Sequence, residues 1–175
     1  SQNLKGVNFF RGFFHAPMML PAVIIAYVYI LLFDTYRGPI NYLLGLVGVP
    51  PLDWRTTTSL APITIVLVDA WQWIPFMMII LLAGLQSLPT ETQEAAVVDG
   101  ASSWRVFRYI KLPLLMPVIT VALVLRAIDL FKLFDIVLLL TGGGPAGVTE
   151  TANLYVYLLS RQFFRYGYAS GTAVL

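Results

Sequence analysis

Three apolar segments of membrane-spanning length constrain the fold of this chain more than any other feature. They cover residues 16–33, 60–85 and 114–140, and the shortest is close to the roughly 18 residues that a helix needs to cross the hydrocarbon core of a bilayer. Residues 165–175 resemble the start of a further apolar helix. The sequence therefore predicts an all-α membrane protein whose spans belong to one transmembrane domain.

The composition places these segments in a lipid bilayer. Hydrophobic residues make up 58% of the chain and charged residues 11%, whereas a soluble domain is about half apolar and about a quarter charged. The chain has no cysteine and a single histidine, which excludes disulfides and a cysteine-based metal site, so no metal site is predicted. A net charge of +2 is too small to indicate a nucleic-acid partner.

A mostly polar, helix-forming insert at residues 87–111 separates the second apolar segment from the third. Glu94 lies in the first turns of the predicted helix, where the positive end of the helix dipole favours a carboxylate. Ala95 and Ala96 follow, and alanine is the strongest helix former and has almost no side chain. A neighbouring protein can therefore approach this helix closely.

The insert is predicted to fold as two short helices. Asp99 and Gly100 end the first helix, because glycine readily adopts the left-handed conformation of a helix C-terminus. The second helix is predicted to place Trp104 and Phe107 on one face. A surface helical hairpin without a function is the alternative interpretation of these residues.

The full spacing of the insert resembles the coupling loop of permease subunits of ATP-binding-cassette (ABC) importers. The resemblance rests on Glu94-Ala95-Ala96, on Gly100, and on the sequence Ile-Lys-Leu-Pro at residues 110–113. A match over some twenty positions is far more specific than a pair of alanines alone. The coupling-loop interpretation is therefore preferred to the hairpin without a function.

Other motifs extend the resemblance over nearly the whole chain and favour the sugar-importing branch, of the maltose and glycerol-phosphate type. They are Gly38 with Asn41 and Trp54, Trp71 with Pro75-Phe76, Phe134-Asp135, and the Thr-Gly-Gly-Gly-Pro turn at residues 141–145. The resemblance implies a helical bundle like that of a type I ABC importer permease, with the insert in the cytoplasm. It also implies that five residues contact an ATPase, namely Glu94, Ala95, Ala96, Asp99 and Gly100.

The resemblance further implies an assembly and a setting. Such permeases work with two ATPase subunits, a second permease subunit that is expected to form a heterodimer, and an extracytoplasmic solute-binding protein. They lie in the lipid of the bacterial or archaeal cytoplasmic membrane. ATP and magnesium bind to the ATPase, so this chain is expected to bind no cofactor and to be a non-catalytic subunit. The expected function is import of a sugar, polyol or sugar-like solute.

Polar and aromatic residues inside the apolar segments suggest a substrate pathway, because an ionisable residue in a membrane span costs free energy and usually has a function. The set consists of Asp69, Gln72, Trp73, Phe76, Arg126 and Asp129. The first four are spaced to share one helical face. Aromatic rings stack on sugar faces and charged groups pair with hydroxyls, and the resemblance implies this use here. The alternative is an ion pair between Arg126 and Asp129 that only locks the helices.

No catalytic constellation is visible in the sequence. It contains no Walker phosphate loop, no Ser-His-Asp order and no spacing typical of metal ligands. Two classes of function are left: the ABC importer permease, and a secondary transporter or channel that uses Asp69, Arg126 and Asp129 as an ion relay. The insert favours the permease, because a secondary transporter has no use for a coupling loop.

The chain is expected to be part of a longer permease. It begins with serine, and residues 169–175 look like the opening of another apolar helix. Similar sequences continue past both ends with further membrane helices. Positive charges are almost balanced between the two sides of the predicted spans, so the cytoplasmic position of the insert depends on the resemblance and not on charge.

Overall fold

The computed structural model describes residues 16–174, and every regular element within that range is helical. The helices are α1 (Ala22–Leu32), α2 (Pro39–Leu46), α3 (Leu60–Gln86), α4 (Glu91–Val98), α5 (Ser103–Phe131), α6 (Asp135–Leu140), α7 (Ala152–Arg161) and α8 (Tyr166–Val174). The described residues divide into two compact units rather than one: the first contains residues 16–73 and 130–174, and the second contains residues 74–129.

Two of these helices are long and apolar enough to cross a membrane. α3 has 27 residues and a mean hydropathy of 2.0, and α5 has 29 residues and a mean hydropathy of 2.1. At about 1.5 Å per residue α3 is about 40 Å long, which exceeds the hydrocarbon thickness of a bilayer. α3 is therefore long enough to cross the membrane by itself.

The first apolar segment, expected as one span over residues 16–33, is interrupted. Residues 16–19 are helical, the helix breaks at Leu20 and Pro21, and α1 then continues to Leu32. Proline lacks an N–H and disfavours the helical conformation of the residue before it. The Leu20 carbonyl instead accepts a hydrogen bond from Nε2 of Gln72 at 3.5 Å. This break divides the segment into two shorter helical pieces.

The third apolar segment, expected as one span over residues 114–140, is likewise not one helix. α5 ends at Phe131, and α6 begins only at Asp135. Between them the carbonyl of Leu133 accepts a hydrogen bond of 2.8 Å from Oγ1 of Thr151, and Phe134 has φ −136° and ψ −61°, outside the helical region. The Leu133 carbonyl is thus paired outside any helix, although the apolar pattern continues.

The core of the first unit forms where α1 packs against α6. Ile25 is 1% exposed, and Val68, Val137 and Leu154 are completely buried. These four side chains come from α1, α3, α6 and α7, so one apolar cluster joins helices that are far apart in the sequence. Burial of apolar surface of this kind is the main favourable contribution to folding.

An aromatic row leads from α3 to the segment before it, which we call the cap segment (residues 33–59). The ring centroids of Trp71 and Tyr29 lie 5.6 Å apart, and those of Tyr29 and Phe33 also 5.6 Å. Phe33 then meets Trp54 at 5.1 Å. Rings at these distances attract one another beyond the burial of their area, so the row ties the cap segment to α1 and α3.

The second unit is packed around a close approach of α3 and α5. A Cβ atom added to Gly84 would lie 2.8 Å from Cδ1 of Leu115 and 2.9 Å from Cγ1 of Val118. Small residues allow membrane helices to approach closely, which matters because lipid provides no hydrophobic force to hold helices together. Gly84 is therefore the contact point of the two helices in this unit.

Candidate coupling surface and polar helix face

The helix predicted at the start of the coupling loop is α4, and its end has the predicted geometry. Gly100 has φ +81°. Its N–H donates to the Val97 carbonyl at 3.0 Å, and the N–H of Ala101 donates to the Ala96 carbonyl at 2.9 Å. This pair of bonds is the Schellman motif, which satisfies carbonyls that would otherwise be unpaired and turns the chain sharply.

The residues expected to contact an ATPase lie on the accessible surface of this loop. Glu94, Ala95, Asp99 and Gly100 are exposed and Ala96 is half-buried, and no residue of α4 is buried within the protein. A short helix with no buried face gains little stability from packing against the rest of this chain. Its geometry is therefore suited to a contact with another molecule.

The second helix of the loop differs from the prediction, because it is not a separate short helix. Ser103 begins α5, which continues through a π-helical turn at Phe107–Lys111 into the membrane span. Pro113 has no N–H to bond the carbonyl four residues earlier and its ring crowds that carbonyl, so the turn before it is widened. The loop is thus joined to the span without a break.

The aromatic pair predicted on one face of this helix is present. The rings of Trp104 and Phe107 are stacked with their centroids 5.7 Å apart, and Trp104 is 70% exposed. Ser102 occupies the N-cap position, but its side chain makes no capping hydrogen bond. The start of α5 is therefore held by packing against α4 rather than by a polar cap.

An open groove runs between α4 and the first turns of α5. Its lining combines valine side chains with one carboxylate and one ammonium group: Gln93, Glu94, Val97, Val98, Ser103, Val106 and Lys111. Val106 and Lys111 are five residues apart, which is the hydrogen-bond spacing of a π-helix and not of an α-helix. The π turn therefore directs Lys111 into the same groove as Glu94.

The predicted polar face of α3 is buried at its centre. Asp69 is 8% exposed and Gln72 is 6% exposed, while Trp73 and Phe76 are half-buried. Oε1 of Gln72 has no hydrogen-bond partner among the described residues, and a buried polar atom of this kind costs free energy unless a ligand or water reaches it. Pro75 lies within this stretch and removes one backbone hydrogen bond of the helix.

The other two predicted pathway residues, Arg126 and Asp129, lie one turn apart on α5 and are half-buried. They belong to the second unit together with Phe76, whereas Asp69, Gln72 and Trp73 belong to the first. The structure thus groups the six residues in two sets of three. Within residues 16–174, no cluster of His, Cys, Asp or Glu side chains has the arrangement of a metal site.

The cap segment has its own polar centre, which sequence analysis did not identify as such. Asn41 is 6% exposed, and its Nδ2 donates to the carbonyls of Thr35 at 3.0 Å and Leu52 at 2.8 Å. Its Oδ1 accepts from the N–H of Leu52 at 3.2 Å and from Nε1 of Trp54 at 2.9 Å. The only sequence signal was its place in the pattern with Gly38 and Trp54.

The first turn of the cap segment is held by a carboxylate. Oδ1 of Asp34 accepts hydrogen bonds from the N–H groups of Tyr36 at 3.0 Å and Arg37 at 2.7 Å. The bond from Arg37, followed by that from Tyr36, lowers the pKa of Asp34 below its usual value of 3.8. The charged form of this carboxyl group is therefore the one that the turn requires.

The glycine-rich turn at residues 141–145 is closed by two threonines. The hydroxyls of Thr141 and Thr149 lie 2.8 Å apart, and the Thr149 hydroxyl donates to the carbonyl of Gly144 at 2.8 Å. Gly143 has φ +87° and an added Cβ would lie 2.9 Å from Leu154. The turn is a compact structural element.

The fold is that of an ABC importer permease. The crystal structure of a bacterial ABC transporter involved in the import of the acidic polysaccharide alginate matches with a TM-score of 0.85 at 24% identity, over 98% of this chain and 62% of that chain. The crystal structure of a bacterial alginate ABC transporter in complex with an alginate pentasaccharide-bound periplasmic protein matches with a TM-score of 0.85 at 25% identity, over 95% of this chain and 58% of that chain.

Sequence relatives include permease proteins of several sugar transport systems. The trehalose/maltose transport system permease protein MalF of Thermococcus litoralis is 41% identical over 175 residues, which cover 99% of this chain and 58% of the relative. The sulfoquinovosyl glycerol transport system permease protein SmoG of Agrobacterium fabrum is 37% identical over 91% of this chain and 52% of the relative. The chain thus spans a little over half the length of these relatives.

The helical fold and the exposed loop between its two membrane-spanning helices define the class of importer permeases. The sequence pattern of one family matches residues 1–174. The chain belongs to that family, the binding-protein-dependent transport system inner membrane components. This assignment agrees with the resemblance found in the sequence.

Proposed function

We propose that the chain is part of the membrane-spanning permease subunit of an ATP-driven, binding-protein-dependent importer for a sugar, polyol or sugar-like solute. The observation that carries the proposal is the exposed α4 with its Schellman turn at Gly100, in a chain of this family. A non-catalytic subunit needs an external energy source. The loop provides a surface through which ATP hydrolysis in another subunit can move the membrane helices.

The proposed partners are two ATPase subunits, a second and different permease subunit, and an extracytoplasmic solute-binding protein. The alginate transporter was crystallised with its periplasmic protein, which supports the last of these. ATP and magnesium belong to the ATPase. The coupling loop is proposed to lie on the cytoplasmic side of the membrane.

The substrate class follows from the relatives and from the polar face of α3. Relatives carry the names of trehalose/maltose, sulfoquinovosyl glycerol and multiple-sugar systems. The buried Oε1 of Gln72, without a partner among the described residues, suits a ligand hydroxyl. In the first unit, Trp73 provides a ring for a sugar to stack on and Asp69 a charged group for its hydroxyls. In the second unit, Phe76, Arg126 and Asp129 are proposed for the same two uses.

The proposal is tested by charge reversal in the coupling loop. Glu94 lines the groove between α4 and α5, whereas Glu91, one turn earlier, does not. In the reconstituted complex, Glu94→Lys is expected to abolish stimulation of the ATPase by the loaded binding protein and to abolish uptake. Gly100→Leu is expected to have the same effect, because a leucine strains a left-handed turn. Glu91→Lys is the matched control and is expected to keep most activity.

Two outcomes would contradict the proposal. Wild-type uptake in both Glu94→Lys and Gly100→Leu would show that the loop does not couple the subunits. Uptake that continues without ATP or without an ATPase subunit would instead support a secondary transporter or channel.

A further inference from the structure

One face of α2 is apolar and uncovered. Tyr42 is 70% exposed, Leu43 61% and Leu46 68%, and their spacing of i, i+1 and i+4 places them on one side of the helix. Val47, the C-cap residue directly after α2, is 75% exposed. The stretch from residue 38 to residue 52 contains no charged side chain. We call these four residues the outer face of α2.

The opposite side of α2 is fixed to the rest of the cap segment. Asn41 bonds to Thr35, Leu52 and Trp54, and Gly38 is so tightly enclosed that an added Cβ would collide with the carbonyl oxygen of Asp34. The helix therefore cannot rotate to bury its outer face against this chain. The outer face is presented rigidly to whatever surrounds the protein.

The cap segment also fixes the height of α2 relative to the membrane-spanning helix α3. Oγ1 of Thr64, in the second turn of α3, donates to the Trp54 carbonyl at 2.8 Å, and Nε1 of the same Trp54 bonds to Asn41. α2 is thus tied to the level at which α3 begins. That level is the boundary between the hydrocarbon and the headgroups, where amphipathic helices lie in the plane of the membrane.

We propose that the outer face of α2 is inserted in the lipid leaflet at the N-terminal end of α3, as an interfacial anchor. The first charged side chains on either side of α2 are Arg37 and Asp53, which places charge in the headgroup region and apolar side chains below it. Through Asn41 and Trp54 the anchor sets the depth of α3, and with it the depth of Asp69 and Gln72. The proposal depends on the membrane setting of the family and not on the transported solute.

The test uses the assembled transporter in phospholipid nanodiscs, with partner subunits free of cysteine. Because this chain contains no cysteine, a nitroxide label can be attached to single cysteines placed at 42, 43, 46 and 47. Thr58, an exposed residue two positions before α3, is the control for a label at the level of the headgroups. Collisions of each label with dissolved oxygen, which concentrates in lipid, are compared with collisions with a water-soluble nickel chelate.

Labels on the outer face are expected to collide several-fold more with oxygen and several-fold less with nickel than the label at Thr58. High accessibility to nickel at these positions would show that the face lies in water and would overturn the proposal. Low accessibility to both reagents would show that a protein covers the face, whether the second permease or the binding protein, and would overturn it as well. ATP-driven uptake by the same preparations is measured separately, so failure of the anchor and failure of the proposed transport function are distinguishable.

Discussion

At the scale of single residues, Asn41 holds the cap segment together through both ends of its side-chain amide. Its two heteroatoms reach the backbone of Thr35 and Leu52 and the indole of Trp54. A buried amide is stable only when its donors and acceptors are paired. Here the hydrogen bonds connect the residues before α2 with those after it, so one side chain holds both ends of the cap segment together.

We expect Asn41→Leu to destabilise the protein by about 2–3 kcal/mol, since it leaves buried backbone groups without partners. The measurement is the midpoint of thermal unfolding of the purified transporter. Asn153→Leu is the matched control, because Asn153 is exposed on α7 and the same change there removes no such bond. Equal midpoints for the two variants would show that the hydrogen bonds of Asn41 contribute little.

At the scale of elements, the contact of α3 with α5 depends on the absence of a side chain at Gly84. The nearest atoms to an added Cβ belong to Leu115 and Val118, and the branched Val118 is stiff at χ1. Two helices that pack at this distance have no room for a larger residue. The need for glycine at position 84 therefore arises from the packing of the two helices against each other, and not from either helix alone.

We therefore expect Gly84→Leu to destabilise the protein by about 1–3 kcal/mol, because overpacking forces side chains out of their preferred rotamers. The double variant Gly84→Leu with Val118→Ala is expected to recover part of this loss. Gly171→Leu on α8 is the control, since an added Cβ there meets no atom within 4 Å. Thermal midpoints of the four proteins decide the question, and a Gly84→Leu midpoint no lower than that of the control would contradict the close packing.

At the scale of the whole molecule, the two interpretations of Arg126 and Asp129 differ in what an exchange of charge does to transport. If the pair only locks the helices, Arg126→Asp combined with Asp129→Arg restores assembly and uptake together. If the pair also contacts substrate, the exchange restores assembly alone, because the solute hydroxyls meet donors and acceptors in the wrong order. We expect the second result.

The measurement is uptake by reconstituted complexes, normalised to the amount assembled. Lys132 and Asp135 form the matched control, since they are also three residues apart but exposed, and their exchange is expected to leave uptake close to that of the wild type. Trp73→Ala is expected to lower uptake without loss of assembly. Full uptake in the variant with Arg126 and Asp129 exchanged would contradict a substrate role for the pair and would support the structural ion pair.

The sequence by itself determined the class of fold and the place of the short helix that ends at Gly100. Long apolar segments dictate membrane helices whatever their neighbours are, and a glycine after a short alanine-containing helix favours a left-handed C-terminus through local sterics. α3 ends within one residue of the predicted segment, and Gly100 has the predicted conformation. These properties depend on interactions between residues that are close in the sequence, so they can be predicted from the sequence pattern.

Only the tertiary structure decided where the other helices end and which side chains stabilise the cap segment. The Thr151 hydroxyl donates to the Leu133 carbonyl in the break between α5 and α6, and the Gln72 amide donates to the Leu20 carbonyl at the break before α1. The Asn41 amide donates to carbonyls on both sides of α2. In each case a polar side chain bonds to backbone that is distant in the sequence. Periodicity contains no information about such pairs, because their free energy depends on a distance that exists only after the helices have packed.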